Sequence, residues 1–380
     1  MFHRLEPIRY PGLEKLNDLA YLTVAFGLNR QTNAPELTVK ADFIAWLTQH
    51  GFPLAGEWLW GKPKAIREPL LKVVQLPCDP KQLILAAFDA DRDLEQCFAS
   101  ARFAFSTIPA HCKAVLALVT EILQNFYGVI LADSGAPGDK LGEAADCNRQ
   151  AVLRHYLNTQ KLKVCPGCDG QPPSVDKYAE MIRQDVDHFF AKSRYPFWAI
   201  HPLNLTPLCK DCNQTYKGDK DAIADQDQAV ADVLSPEHLY HPYLRPARDE
   251  ITIKVVANAT TGEAQLTLTT KVDDPIHEAR LHSLNYLLNL ESRWNGDLQE
   301  ERLEEYIIKG LVDSTQEERD QGIMLDDEQI RRKLQKVART LELWIRRTPS
   351  HVPATALAQW IVDNPTARAR ITKLAQQALV

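Results

Sequence analysis

A chain of 380 residues, 45% hydrophobic and 25% charged, has the composition of an ordinary globular protein and the length for two or three domains. That excludes a disordered chain. The net charge of −6 gives no surface-wide attraction for nucleic acid, so such a partner has to be held locally.

In chain order, the opening Met1-Phe-His-Arg4 lacks a basic stretch followed by an apolar core, so no signal peptide is expected. The early apolar run Leu19 to Leu28 is too short to span a bilayer and is interrupted by Gly27, which makes a cytoplasmic protein without membrane contact the expectation. Residues 1–146 predict a helical N-terminal domain. Leu13, Leu16, Leu19 and Leu22, the stretch 82–105 and the run 114–130 all place apolar residues at three-to-four spacing. A Gly/Pro/Ser cluster at 133–139 predicts a linker or exposed loop, and a short helix over 148–158 leads onward.

Two Cys-x-x-Cys pairs follow, Cys165/Cys168 and Cys209/Cys212. Two thiolates spaced this way reach one ion from a tight turn, and two such turns complete the four-sulfur shell that zinc prefers. Pro166 and Gly167 suit the first turn. A single pair reads equally well as redox or buried cysteines; two pairs in a cytosol-like chain point to structural zinc. Residues 169–208 separate them, far more than the ~15–20 of a zinc ribbon, so something is inserted. Cys78, Cys97, Cys112 and Cys147 are scattered and read as small buried hydrophobes.

The insert and its flank carry Asp187-His188, Asn204 and Asn213. With the knuckles, this pattern resembles the zinc-stapled HNH endonucleases over about residues 160–220, with the His-Pro-Tyr at 241–243 as an outlying match. The resemblance implies an α+β, mostly helical chain with a central ββα-metal module at 147–243. In that family an Asp-His ends the first strand, an Asn sits in the second, and a His or Asn opens the helix. These roles fall on Asp187, His188, Asn204 and Asn213, the last taking a position more often held by His.

Elementary chemistry supports the same reading. Phosphodiester hydrolysis needs a deprotonated water and a cation to offset developing charge. His188 offers a base whose ordinary pKa is ~6.5. Asp187 and Asn213 offer hard oxygens suited to Mg²⁺ or Mn²⁺, and Asn204 can brace the loop through backbone bonds. Adjacent strand side chains point to opposite faces, so the strand is expected to end, bend or bulge at Asp187-His188 if both are to address one phosphate. Residues 161–220 hold nine Lys or Arg against seven Asp or Glu, a local basic balance. Within it Lys192, Arg194, Lys217 and Lys220 are the expected phosphate contacts.

Residues 244–380 predict a third region. Period-two alternation at 250–256 and 264–270 reads as a hairpin, followed by helices near 276–294, 298–312, 326–347 and 354–378. The third of these carries Arg331, Arg332, Lys333, Lys336, Arg339, Arg346 and Arg347, either a duplex-docking face or the solvated side of a core helix. The whole suggests a metal-dependent HNH endonuclease acting on DNA more readily than RNA. Two alternatives stay open, a nuclease dormant until a partner such as an ATPase sensor releases it and a catalytically idle zinc nucleic-acid-binding module; a double cut would need two copies in a homo-oligomer or two visits. Proteins of this make-up resemble effectors of bacterial anti-phage defence, with restriction and mobile-element roles alongside.

Overall fold

The computed structural model describes residues 2–7, 9–30, 33–132, 135–161, 163–172, 186–223, 236–258, 263–345 and 347–377. Asp133, Arg346 and the hairpin turn residues 259–262 lie outside these, as does Asp185 in the insert.

The N-terminal half consists of Pro11–Asn29 (α1), Glu36–Gln49 (α2), Ala55–Trp60 (α3), Glu68–Gln75 (α4), Cys78–Asp91 (α5), Leu94–Ser100 (α6), Lys113–Asn125 (α7), Gly138–Leu141 (α8) and Arg149–Gln160 (α9). Pro11 opens α1, where its missing N–H leaves no helical bond unmade. The predicted 82–105 helix is in fact α5 and α6, because Asp93 caps a new start by accepting from Gln96 N at 3.0 Å. α1 packs on α4, α5 and α7. Their apolar stripes, Leu13, Leu16 and Leu19 with Leu70, Val73, Val119 and Ile122, close one core. The segment Ala110–Ile130 is long and apolar enough to cross a membrane by length and composition. Its Val115, Val119, Ile122 and Phe126 belong to this core.

Two short antiparallel strands follow, Asp187–His188 (β1) and Leu205–Thr206 (β2), and then a widely wound helical turn at Asp211–Lys217. Beyond them Ile251–Ala257 (β3) and Ala264–Thr270 (β4) form the predicted hairpin, in register from Ile251↔Thr270 to Ala257↔Ala264. The remainder is Pro275–Leu288 (α10), Leu290–Gln299 (α11), Arg302–Ser314 (α12), Gln316–Asp320 (α13), Asp327–Leu343 (α14), His351–Asp363 (α15) and Pro365–Gln377 (α16). Two predicted helices are each broken in two. Asn289 takes the left-handed conformation between α10 and α11, with φ of 49°. Pro365 stops α15 and holds Asn364 extended, at φ −108° and ψ 104°. On α14, Arg331 and Arg332 pair with Glu328, and Lys333 with Glu318.

The central segment lies between two cores rather than forming its own. Val186, Phe197, Ile200 and Leu205 pack into the N-terminal core, while Phe189, Phe190, Tyr195 and Trp198 pack with the C-terminal helices. Phe2 and Leu5 join the second core, as do Leu94, Phe98 and Phe103, so the cores cut across the sequence boundaries at 146 and 243.

Candidate functional site

The four knuckle cysteines converge. Cys165, Cys168, Cys209 and Cys212 are all buried, and their sulfurs lie within 4.8 Å of one another. Sγ–Sγ distances are 3.9 Å for Cys165–Cys212 and for Cys168–Cys209. A tetrahedral zinc with ~2.3 Å Zn–S bonds sets its sulfurs ~3.8 Å apart, so the group has the spacing to hold a metal such as zinc. Local sequence explains the approach. A Cβ on Gly167 would stand 3.2 Å from both Cys212 Sγ and Leu208 Cδ2, a tight fit that would require those neighbours to shift by a few tenths of an ångström. Backbone N–H groups of Gly167, Gly170, Cys209 and Cys212 point at the sulfurs at 3.3 to 3.4 Å, the bonding a thiolate cluster attracts.

Four packed thiols share charge unevenly. Burial pushes Cys165 well up, while hydrogen bonds from Cys165, Cys168 and Cys212 hold Cys209 far down. Arg293, unmarked in the sequence, donates to Cys212 Sγ at 3.1 Å and stacks 4.1 Å over the Tyr216 ring. Burial works against its charge, but Cys168, Cys212 and Cys209 outweigh that and raise its pKa. The first knuckle is also tied to both flanks. His3 Nε2 lies 2.6 Å from Asp169 Oδ1, Val352 N donates to Asp169 Oδ2 at 2.8 Å, and Trp294 Nε1 donates to the Cys168 carbonyl at 3.2 Å.

Asp187 and His188 sit on β1 in regular register, opposite Thr206 and Leu205. Of the expected end, bend or bulge, the structure shows the first: the pair keeps regular register and the strand ends at His188. His188 Nε2 is 2.8 Å from the Ala199 carbonyl, and its ring meets the Tyr127 edge with centroids 4.2 Å apart. A carbonyl only accepts, so Nε2 carries the proton and Nδ1 keeps its lone pair. Burial first, then Lys192, lowers the His188 pKa to about 3, far from the ordinary imidazole value.

Asp187 is buried, and Lys217 Nζ lies 3.2 Å from its Oδ1. Burial lifts its carboxyl to about 6 against the opposing pull of Lys217. Oδ2 is buried and has no hydrogen-bond partner among the described residues, a position a hard cation would satisfy. Among those residues the four cysteines are the one group of three or more His, Cys, Asp or Glu arranged for a metal. Lys192 and Lys217 act electrostatically on both Asp187 and His188.

Asn204 is fully buried and bonds only backbone: Nδ2 donates to Phe190 O at 3.0 Å and Trp198 O at 2.9 Å, and Oδ1 accepts from Phe190 N at 2.7 Å. Asn213 lies four positions before Lys217 in a turn wound wide enough for Gly218 N to reach Asn213 O at 2.9 Å. It therefore shares the Lys217 face, though no hydrogen bond joins its amide to Asp187 or His188 among the described residues. Of the four expected phosphate contacts, Lys217 is buried against Asp187 and Lys192 stands 4.9 Å over the Tyr127 ring. Arg194 pairs with Asp221 at 3.1 Å, and Lys220 donates to Tyr286 O at 2.8 Å beside a groove of about 860 Å³. Sequence reasoning missed Tyr127 and Arg149, whose guanidinium stands 4.9 Å over that same ring. Arg149 opens the helix leading to the first knuckle, a weak signal; Tyr127 gave none.

No family model matches the chain, and no solved structure matches it. Over 61 residues it is 34% identical to Protein ea31 of Escherichia phage lambda, a stretch covering 16% of this chain and 17% of that protein. The chain thus spans about a sixth of the length of the curated relative it matches, a similarity between segments rather than between whole proteins.

Proposed function

We propose that this chain is a metal-dependent endonuclease of the HNH type, hydrolysing phosphodiester bonds in DNA more readily than in RNA. The supporting observation is one hairpin: β1 presents His188 with its Nδ1 lone pair free of the Ala199 bond and Asp187 beside it, and β2 runs within three residues into the second cysteine knuckle. The order strand, strand, helical turn, stapled by four cysteines, agrees with the module that the resemblance implies.

In this reading His188 is the general base: burial keeps it neutral at physiological pH but weakens it as a base, which the lowered pKa of a metal-bound water would offset. Asn204 fixes the loop between the strands through its three backbone bonds. Asp187 Oδ2 and the Asn213 amide oxygen would hold Mg²⁺ or Mn²⁺, which supplies charge neutralisation at the scissile phosphate. Lys192, whose charge acts on both Asp187 and His188, is the candidate contact to a phosphodiester.

The test is supercoiled plasmid, linear duplex, single strands and RNA incubated with the zinc-loaded protein in Mg²⁺, Mn²⁺ or EDTA. Cleavage with divalent metal, lost by His188→Ala with zinc content intact, is expected. General-base removal costs ~10²–10⁴ in rate. No cleavage of any substrate in either metal, or full activity in His188→Ala, ends the proposal.

A further inference from the structure

The Asp187 carboxylate already has a cation. Lys217 is 2% exposed, and its ammonium sits 3.2 Å from Oδ1 of a carboxylate that is itself 5% exposed. A lysine is almost never buried this deeply without a reason to pair, and here the pairing is tertiary: Lys217 comes from the turn after the second knuckle and Asp187 from the strand before it. The ammonium covers one oxygen only. Oδ2 remains buried without a hydrogen bond of good geometry among the described residues, and the neighbouring His188 N–H adds only a lesser pull on the carboxylate than Lys217, so the carboxylate is incompletely satisfied.

Resting on the endonuclease reading above, we propose that Lys217 is a resident counter-cation of Asp187, and that a divalent ion binds this carboxylate only in competition with the lysine ammonium. A buried site with one carboxylate accommodates one full positive charge comfortably. A divalent ion arriving at Oδ2 stands within a few ångströms of the ammonium, and like charges that close in a low-dielectric setting repel strongly. Either the metal stays weakly bound or the ammonium leaves Oδ1. The long, flexible lysine stem permits departure, and the group that would receive the ammonium is the anion the site is built for, a backbone phosphate. Lys217 thereby couples metal to substrate: the metal gains Asp187 when phosphate draws the lysine away. The coupling is reciprocal, so metal in turn strengthens phosphate binding.

The sign of the effect separates this role from a structural one. Mn²⁺ alone is titrated into the full-length, zinc-loaded protein and free Mn²⁺ is followed by electron paramagnetic resonance at pH 8. Lys217→Met should bind Mn²⁺ at least about tenfold more tightly than the wild type, since an unopposed buried carboxylate is left behind. Lys217→Arg, which keeps the cation, should stay near the wild type. Asp187→Asn added to Lys217→Met should abolish the gain. If Lys217→Met fails to fold, Lys217→Gln, which keeps a hydrogen-bond donor without the charge, carries the same expectation. A wild-type protein that binds Mn²⁺ while both neutral variants bind it equally or more weakly overturns the lysine's role and leaves the endonuclease reading standing. No Mn²⁺ binding by any variant overturns both.

Discussion

The cysteine cluster and the Asp187 site are both buried, polar and assembled from the same short stretch of chain, yet their charge balance is opposite. Four sulfurs within 4.8 Å bring like-charged groups together and leave the compensation to a cation, with Arg293 supplying only part of it. Asp187 comes with Lys217 already in place. A site that lacks its counter-charge depends on metal to fold. One that contains it folds without metal and has to give something up to bind one.

The hardest test of that contrast is removal of each ion. Replacing any of Cys165, Cys168, Cys209 or Cys212 with Ser should unfold or aggregate the protein, because the binding energy of a structural zinc, on the order of 10 kcal/mol, is folding energy. The effect should spread to both flanks, since Asp169 and Cys168 are bonded to residues His3, Trp294 and Val352. Brief EDTA treatment should leave the circular dichroism melt unchanged while stopping any Mg²⁺-dependent cleavage. A zinc-free variant with a native melt would remove the distinction between the two sites.

Acid provides the next test. The His188 pKa is lowered from 6.5 to about 3, so its contribution to stability is complete above pH 6.5 and is lost as pH falls toward 3. Between pH 7 and pH 4 that loss is about 3 kcal/mol. Asp187 acts the other way: with its carboxyl raised from 3.8 to about 6, its contribution is complete below 3.8 and is lost as pH rises through 6. Urea melts of His188→Gln, which does not titrate, should show less acid sensitivity than the wild type, and the difference isolates the imidazole. Identical pH dependence in the two proteins would mean that His188 is not held neutral by burial.

The smallest expected effect is at Arg293. Arg293→Met keeps bulk but removes the donor to Cys212, and a hydrogen bond to a charged group contributes about 1.5–3 kcal/mol. A lower melting temperature with zinc stoichiometry unchanged is the expected result. Loss of zinc would make Arg293 part of the metal-holding machinery rather than a partial counter-charge.

What was legible in the sequence was local. A Cys-x-x-Cys turn is closed by four residues, and helices announce themselves through periodicity over ten or more, so the thiol pairs, most helices and the β3–β4 hairpin could be placed from the chain alone. The break before Pro365 was also available to local reasoning, since proline cannot continue a helix. The break at Asn289 depended on a backbone conformation that asparagine tolerates but does not require. The sequence determined which residues are the candidates for chemistry: four thiols, a carboxylate beside an imidazole, and two asparagines.

Only the tertiary structure decided their partners. Lys217 turned inward to Asp187 instead of outward to solvent, Arg194 was taken by Asp221, Tyr127 came from the N-terminal half to meet the His188 ring with Arg149 stacked on it, and Arg293 crossed to Cys212. These pairings follow from the central segment lying between two cores. Burial there removes water as the default partner, so each charged or polar group takes the complementary group that packing sets beside it, however distant in sequence.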